Sequence, residues 1–296
     1  MYKIAPKTAA VIVLYFPEWD VLSALIKSLT SQVSKIYLIS NGLQIEIHAL
    51  LKLQGGFDRL SIHEENPGLG AALNEGLRLA IQDECDYLFL FDQDSLTPPN
   101  YVNSMLREFN KLGDESQKIA ALGPSFFDLR SSELELNQFK RNGFAVWPKT
   151  GEILPIECDC IITSGMLVNI KAINPVQYFD ESYFVDQVDS EWCFRLRSLG
   201  YRIYGTTKVL LGHRLSDSVG LRFGSITFLR YNPIRRYWFY KNSIRLVKSP
   251  ITVLAWKFRL CLNLLLSFVP NIFLDQNAIL SCKMMLKGLR DGIFAR

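Results

Sequence analysis

The sequence lacks the features that mark secreted and membrane-spanning chains. Its six cysteines include no Cys-x-x-Cys pair, so neither a disulfide framework nor a zinc ribbon is indicated. Cys158 and Cys160 could form half of a metal site, but no second half accompanies them. Residues 1–6 contain no apolar signal-peptide core. We therefore expect a reduced, cytoplasmic chain with incidental thiols.

Acidic residues are scarce in the last quarter of the chain. Residues 222–296 contain 13 Lys and Arg but only 2 Asp and Glu, a local charge of +11, whereas the preceding residues carry −7. A basic tail on an acidic body suggests a polyanionic partner, either an anionic membrane or nucleic acid. No nucleic-acid-binding motif accompanies the charge, so we expect no nucleic-acid partner.

The same tail has no apolar run long enough to span a membrane. Its longest charge-free run, residues 260–274, has 15 residues and contains Pro270, whereas a spanning helix needs about 20. We expect an interfacial helical region, with apolar side chains at the lipid boundary and Lys and Arg on anionic head groups. The alternative is a helical hairpin that packs on the rest of the protein.

Elsewhere, short apolar runs alternate with segments of helical periodicity. The apolar runs predict strands at residues 8–16, 35–39, 60–63, 87–91, 119–123 and 160–168, and two short strands at 201–204 and 208–211. Helical spacing predicts helices over residues 21–29, 69–80, 102–109 and 186–199. This alternation predicts an α/β fold with a mostly parallel sheet.

Two carboxylates follow the apolar run 87–91. Asp92 and Asp94 stand where that strand ends, and Pro98 and Pro99 take the chain out of the sheet. Carboxylates at the end of a buried strand need a cation opposite them, and ligands bind at this edge of an open α/β sheet. Mg²⁺ or Mn²⁺ carrying a diphosphate would satisfy both conditions. The alternative is a solvated, Asp-rich turn.

A second acidic segment, residues 179–195, mixes carboxylates with aromatic side chains. Carboxylates beside apolar walls acquire the raised pKa that a general base needs. A simpler interpretation is that Asp186 and Asp189 only favour a helix N-terminus, and that Glu191 and Arg195 form an i, i+4 ion pair.

Two further features are weak by themselves. Residues 66–70 open a predicted helix with Asn and Gly, as an anion-binding loop does, although a tight turn needs the same residues. His213 ends a short apolar strand, where it could be structural or could bind a Mn²⁺-like ion if the two acidic segments converge.

In this order the motifs resemble glycosyltransferase family 2. The resemblance covers residues 8–245 and is carried by Asn66, Gly68, Asn74, Asp92-Gln93-Asp94, Ser164-Gly165, the segment 179–195 and Gly200–Ile203. Residues 91–95 and 186–193 are similar to those of bacterial rhamnosyltransferases that build O-antigen or related polysaccharides. The implied fold is a GT-A-type, Rossmann-like catalytic domain over residues 1–222, flanked by helices and followed by a C-terminal helical, membrane-associating region over residues 223–296.

The resemblance also implies a role for individual residues. Asp189 is expected to be the catalytic base, with Glu191 supporting it or orienting the acceptor. Asp92, Asp94 and His213 are expected to hold a divalent cation, Mg²⁺ or Mn²⁺. Donor-binding residues are expected to be Tyr15, Asn41, Asn66, Gly68, Asn74, Asp92, Gln93, Ser164, Gly165, Trp192 and Arg195. Phe16 and Ser40 depart from the family pattern near the expected nucleobase pocket, so the base is less well defined than the reaction.

The activity implied by the resemblance is inverting, metal-dependent transfer of L-rhamnose from dTDP-L-rhamnose to a polyprenyl-diphosphate-linked saccharide in O-antigen biosynthesis. The expected location is peripheral, on the cytoplasmic face of the bacterial inner membrane, and a homo-oligomer remains open. One alternative is transfer of another sugar, such as galactofuranose or a hexose, from a UDP donor. Another is a non-catalytic scaffold of a polysaccharide assembly complex, which would have no need for clustered carboxylates.

Overall fold

The computed structural model describes residues 5–42, 56–113, 118–128, 139–146, 154–173, 177–213, 218–223, 226–275 and 277–295. The strands are β1 (Thr8–Leu14), β2 (Lys35–Ser40), β3 (Arg59–Ile62), β4 (Tyr87–Asp92), β5 (Ile119–Asp128), β6 (Phe139–Arg141), β7 (Phe144–Val146), β8 (Ile156–Glu157), β9 (Met166–Asn169), β10 (Arg202–His213), β11 (Ser218–Phe223) and β12 (Ile226–Arg230). The helices are α1 (Trp19–Thr30), α2 (Leu69–Gln82), α3 (Tyr101–Asn110), α4 (Ile170–Ile173), α5 (Val188–Ser198), α6 (Pro233–Lys248), α7 (Leu254–Leu274) and α8 (Ala278–Phe294).

An eight-stranded sheet with the order β3-β2-β1-β4-β9-β5-β10-β8 organises the fold. Strands β3, β2, β1 and β4 pair in parallel, as do β5 and β10. Strand β9 lies between β4 and β5 and is antiparallel to both, and β8 is antiparallel to β10. The predicted α/β fold with a mostly parallel sheet flanked by helices is confirmed.

Strand β1 is buried along its whole length because helices cover both faces of the sheet. Val11 belongs to the same apolar cluster as Leu77 of α2, on one face. The next residue, Ile12, belongs to a second cluster with Leu25 of α1. Burial on both faces explains why the strand is a continuous apolar run rather than an alternating pattern.

The predicted bounds differ from the structure at several places: β5 continues to Asp128, beyond its predicted end at residue 123, and two other differences change the pattern of strands. The strand expected over residues 160–168 begins only at Met166, because the preceding residues turn towards the sheet edge. Gly165 has a φ of +74° there, and its N–H donates to the carbonyl oxygen of Leu90 at 2.7 Å. The two strands expected at 201–204 and 208–211 are one strand, β10, in which a register shift between Thr206 and Leu210 forms an irregularity along β5.

The C-terminal helices share the core of the sheet domain. Leu246 of α6 and Trp256 and Leu260 of α7 are buried in the same cluster as Val11. The Trp256 ring stands 5.5 Å from that of Phe194, edge to face. One face of α7 is therefore packed on the protein, as the hairpin alternative requires. Across the described ranges, no helix has the length and apolar character needed to cross a membrane.

Candidate functional site

A cavity of about 660 Å³ opens at the carboxyl edge of the parallel strands. It is lined by the ends of β1, β2 and β4, by the loop at residues 66–69 before α2, by residues 162–164 and by the segment 184–189. Residues 232–238, at the start of α6, complete the wall. The cavity therefore lies where α/β sheets bind ligands, outside the carboxyl ends of the strands.

Asp92 and Asp94 enter the cavity from the end of β4. Asp92 is the last residue of that strand and pairs in register with Val13 of β1. One oxygen of the Asp92 carboxylate, Oδ2, accepts a short hydrogen bond from the hydroxyl of Ser164, which also lines the cavity. Two carboxylates spaced i, i+2 thus line one cavity, and their role in holding a cation stays a prediction.

Gln93, between the two aspartates, links the chain after β4 to the chain after β1 through hydrogen bonds. Its Nε2 donates to the carbonyl oxygen of Tyr15 at 2.8 Å. Its Oε1 accepts from the N–H of Tyr15 at 2.7 Å. Both ends of the amide are therefore used on the backbone of Tyr15. Gln93 and Tyr15, both predicted to bind the donor, line the cavity. The side chain of Gln93 holds two backbone segments together through its hydrogen bonds to Tyr15.

The loop before α2 is shaped by two asparagines. Asn66 accepts a hydrogen bond from the N–H of Gly68 at 2.8 Å, and the Nδ2 of Asn41 donates to the carbonyl of Gly68 at 3.2 Å. Gly68 has a φ of +94°, and a Cβ atom there would lie 2.8 Å from the Cα of Phe184. The Oδ1 of Asn41 is buried and has no hydrogen-bond partner among the described residues. Because Asn41 lines the cavity, this oxygen is an acceptor available to a ligand.

A strained segment leads into the helix that contains the predicted base, Asp189. Phe184, Asp186 and Gln187 all have positive φ, between 56° and 62°, which is unfavourable for residues with a side chain. The N–H of Leu69 donates to the carbonyl of Phe184 at 2.5 Å. From the other side, Asn242 of α6 donates to the carbonyls of three residues of this segment: Tyr183, Val185 and Asp186, at 2.5, 2.8 and 3.0 Å. These hydrogen bonds hold a conformation that the local sequence does not favour.

Asp189 lies in the first turn of α5 and lines the cavity. Burial raises the pKa of its carboxyl group to about 6, and the negative charges of Asp186 and Asp92 act in the same direction. Hydrogen bonds from Ser190, whose N–H donates to Oδ1 at 2.7 Å, partly oppose this rise in pKa. A carboxylate with such a pKa is ionised at neutral pH and accepts a proton more readily than an ordinary aspartate.

The described lining of the cavity is strongly acidic. Four carboxylates line it, from Asp92, Asp94, Asp186 and Asp189, against the one guanidinium of Arg235. Arg235 pairs with Asp186 at 3.3 Å. An anionic ligand such as a nucleoside diphosphate would therefore be repelled unless a cation entered with it.

The donor set of Asp92 and Asp94 fits a hard divalent cation. Mg²⁺ is commonly held by one or two carboxylates together with substrate phosphates, rather than by a complete protein cage. The described residues contain no group of three or more His, Cys, Asp or Glu side chains that could hold a metal. His213 ends β10, where its backbone pairs with Asp128, and its side chain falls outside what the structure describes.

Three predicted site residues on α5 are not among the described residues that line this cavity, and their predicted roles stay predictions. Glu191 is buried and accepts from the Nε of Arg195 at 2.7 Å, so the i, i+4 alternative is confirmed. Arg195 also donates to the carbonyl of Tyr178 at 2.7 Å. Trp192 is fully buried and stacks on Phe179, with ring centroids 4.7 Å apart. These side chains attach α5, the helix that contains Asp189, to residues 178 and 179, which precede it.

Two further predicted residues, Asn74 and Gly165, also lie outside the lining. Asn74 is buried in α2, where it accepts from the N–H of Phe179 at 2.7 Å and donates to the carbonyl of the same residue at 3.0 Å. The carbonyl of Gly165 accepts from the hydroxyl of Tyr101 at 2.6 Å. Both residues therefore position loops around the site, and neither is among the described residues that line the cavity.

Sequence reasoning missed the contribution of α6. Residues 232–238 were assigned to a membrane-associating tail, yet Ile234, Arg235 and Trp238 line the cavity. Trp238 stacks on Phe184 of the strained segment, with centroids 4.7 Å apart. The available signal was charge complementarity: the acidic segment 179–195 needs cations, and α6 supplies Arg235 to Asp186.

This acidic cavity lies at the carboxyl edge of a mostly parallel sheet flanked by helices, and that architecture is of the GT-A type. The family model described as Glycosyl transferase family 2 matches residues 10–161. The chain belongs to this family, and it is a glycosyltransferase.

Among individual proteins, the chain is 26% identical over 291 residues to the dTDP-rhamnosyl transferase RfbF of Shigella flexneri, and the alignment covers 96% of this chain and 94% of the relative. Solved structures share the fold. A crystal structure of GalNAc-T7 with UDP, GalNAc and Mn²⁺ matches with a TM-score of 0.57 at 12% identity, over 82% of this chain and 51% of that chain, so this chain spans about half of its length. A fragment of S. aureus TarS in complex with UDP-GlcNAc matches with a TM-score of 0.56 at 12% identity, over 97% of this chain and 80% of that one.

Proposed function

We propose that this glycosyltransferase moves L-rhamnose from dTDP-L-rhamnose to a polyprenyl-diphosphate-linked saccharide, with inversion at the anomeric carbon. The observation that carries the proposal is that the Asp92–Asp94 pair and the proton-accepting Asp189 face the same cavity. The similarity to the Shigella flexneri rhamnosyl transferase over nearly the whole chain supports rhamnose as the sugar.

The sugar-nucleotide donor would occupy the cavity with its base at one end and its diphosphate at the other. The buried Oδ1 of Asn41 is available to the N3–H of a thymine ring. The diphosphate extends from there towards Asp92 and Asp94. A divalent cation held by these two carboxylates would neutralise the diphosphate and stabilise the nucleoside diphosphate as it leaves. This arrangement resolves the mismatch between an anionic donor and an acidic cavity.

The transfer is a single displacement. The carboxylate of Asp189 accepts the proton of an acceptor hydroxyl as the hydroxyl oxygen attacks the anomeric carbon of the sugar. The bond between that carbon and the diphosphate oxygen breaks on the opposite face, and dTDP leaves with the electron pair. The strained segment 184–187 and the Glu191–Arg195 pair hold Asp189 in place for this step.

The proposal also includes the acceptor and the cellular location of the enzyme. A saccharide on polyprenyl diphosphate is presented at the membrane surface, so the enzyme works as a peripheral protein on the cytoplasmic face of the bacterial inner membrane, in O-antigen assembly. The basic C-terminal region supports this location, because anionic lipids attract Lys and Arg at the surface.

One alternative sugar donor can be tested directly. Uracil presents the same N3–H as thymine, so the free acceptor of Asn41 would also suit a UDP-sugar, such as a UDP-hexose or UDP-galactofuranose. A non-catalytic scaffold is disfavoured, because it would have no need for four carboxylates clustered around one cavity.

A donor screen tests the proposal. The purified full chain is mixed with lipid-linked saccharides extracted from bacterial membranes, and nucleotide release is measured with dTDP-rhamnose, dTDP-glucose, UDP-glucose and UDP-galactofuranose. We expect acceptor-dependent release from dTDP-rhamnose, its loss in EDTA and its recovery with Mn²⁺ or Mg²⁺. Preferential turnover of a UDP-sugar would replace the donor assignment, and turnover of none by a protein that binds donor would favour the scaffold.

A further inference from the structure

Helix α7 carries an apolar stripe on its outer face. Six large apolar side chains are more than half exposed there: Leu254, Phe258, Leu265, Leu266, Val269 and Phe273. At 3.6 residues per turn these positions fall within about 120° of arc, so they form one continuous band along the helix. Phe273 and Leu254, at its two ends, are each 82% exposed.

The opposite face of α7 is packed on the protein. Trp256, Leu260 and Leu264 are buried there, and Leu264 lies in a small cluster with Tyr240 and Met285. The helix is therefore apolar on both sides, although a surface helix ordinarily turns a polar face to water. A band of this size left in water marks an interaction surface.

The charges around the stripe identify its partner. Lys257 and Arg259 flank the N-terminal half of the stripe on either side, and α8 adds the exposed Lys283 and Lys287. The carboxylates in residues 226–275 and 277–295 are engaged within the protein. Asp275 is buried against Arg236 at 3.0 Å, and Asp291 accepts from the hydroxyl of Tyr237 at 3.0 Å.

A second copy of the chain fits this surface poorly. Pairing two α7 helices would bring their Lys and Arg residues together without opposing carboxylates, and like charges repel at close range. An anionic bilayer supplies the missing negative charge and also accepts apolar side chains at its interface.

We infer that α7 is a membrane-contact helix, which lies flat on an anionic lipid surface with the stripe in the head-group boundary and Lys257 and Arg259 on lipid phosphates. The packed face holds the helix against the protein along its length of about 30 Å, so α7 contacts the bilayer side-on. This inference rests on the proposed function, because contact with a membrane would bring the enzyme to a lipid-linked acceptor.

Vesicle flotation of the full chain tests the contact without donor or acceptor, so its outcome is separate from that of the donor screen. Two vesicle compositions are compared: phosphatidylcholine alone, and phosphatidylcholine with phosphatidylglycerol. We expect the protein to float with the anionic vesicles, and flotation to fall as salt is added. Absence of flotation at low salt would overturn the inference.

Two sets of variants locate the surface. Leu265→Ser with Phe273→Ser should reduce flotation at least tenfold, and Lys257→Glu with Arg259→Glu should reduce it on anionic vesicles only. Leu199→Ser, at a residue 55% exposed at the end of α5, is the matched control and should float normally. Thermal unfolding of all variants checks that the fold is kept.

Two results would contradict the assignment. If the Leu265/Phe273 double variant floats like the parent, the stripe does not contact the membrane. If the parent is a dimer by light scattering and this variant is a monomer, the stripe is instead a self-association surface.

Discussion

The Nδ2 of Asn242 lies 2.8 Å from the carbonyl oxygen of Val185, and this contact joins the C-terminal region to the catalytic site. Asn242 is fully buried in α6 and holds a segment in which three residues have positive φ. That segment leads directly into α5, whose first turn contains Asp189. The position of Asp189, the proposed base, thus depends on a helix of the C-terminal region, which the sequence analysis had expected to associate with the membrane or to pack on the rest of the protein.

Replacing Asn242 with alanine should therefore lower turnover. The carbonyls of Val185 and Asp186 would lose a buried donor, which costs about 1–3 kcal/mol, and the segment would relax from its strained conformation. A shift of the base by about 1 Å can reduce the rate by about 10²-fold. We expect kcat to fall while the donor Kd changes little.

The control for that variant is Asn263→Ala, at an exposed asparagine on α7. It should leave kcat unchanged. Equal losses of kcat and donor affinity in Asn242→Ala would mean that the substitution disturbs the whole cavity and not only the base.

Asp189→Asn should abolish transfer and keep donor binding. The amide cannot accept the hydroxyl proton, and loss of a general base reduces rates by about 10²–10⁴-fold. Transfer is measured as acceptor-dependent nucleotide release, and donor affinity by calorimetry. Asp180→Asn is the control, since Asp180 belongs to the same acidic segment but pairs with Arg245 outside the described cavity lining. Near-normal turnover of Asp189→Asn would remove it from the role of base.

The pH dependence of kcat/KM reports on the same carboxyl group. Because the pKa of Asp189 is raised to about 6, the protonated and inactive form accumulates below that pH. We expect kcat/KM to be level above the inflection and to fall about tenfold per pH unit below it.

A charge-removing variant tests the origin of the raised pKa. The negative charge of Asp186 raises the pKa of Asp189, so Asp186→Asn should move the inflection to lower pH. The guanidinium of Arg235, released from its pair with Asp186, would act in the same direction. An inflection that stays in place would assign the pH profile to another group.

Much of the fold was predictable because it is encoded locally. The strands from Thr8 and from Tyr87 are continuous apolar runs, and burial on both faces of the sheet requires such runs. The acids of the cavity were also predictable, since Asp92 and Asp94 end a buried strand and carboxylates are costly there without a cation.

The supporting contacts could not be predicted, because they join residues far apart in the chain. Gln93 and Tyr15 are 78 positions apart, and Asn242 and Val185 are 57 apart. Nothing in the sequence around Gln93 shows that its amide forms hydrogen bonds with the backbone and not with the sugar-nucleotide donor. For the same reason, the basic charge of α6 suggested a lipid surface, although Arg235 serves Asp186 within the site.

Asp94→Ala should weaken donor binding only when a divalent cation is present. Asp94 lines the cavity beside Asp92, and the pair is the donor set that suits Mg²⁺ or Mn²⁺ with substrate phosphates. Calorimetry with dTDP-rhamnose is carried out in Mn²⁺ and in EDTA. We expect the parent to bind far more tightly in Mn²⁺ and the variant to lose most of that difference. An unchanged affinity of the variant in Mn²⁺ would exclude Asp94 from the cation site.

The close approach of Gly68 to Phe184 gives the last prediction, because two glycines with similar positive φ differ in their surroundings. Gly68 has a φ of +94°, and a Cβ atom there would lie 2.8 Å from the backbone of Phe184. Gly200 has a φ of +89°, and a Cβ atom there would meet nothing within 4 Å. Gly200→Ala should lose only the conformational preference of glycine, about 1–2 kcal/mol, and should keep its activity.

Gly68→Ala should lose more than that amount of stability, because its ψ of 164° places Gly68 in a region that essentially only glycine adopts. A further ~1–3 kcal/mol should be lost to overpacking. Its activity should fall as well, because the displaced Phe184 belongs to the strained segment that leads to Asp189. Chemical denaturation and turnover of both variants separate the two contributions. Equal stability and equal turnover of the two variants would show that the segment tolerates displacement and that its contact with the loop before α2 does not position the base.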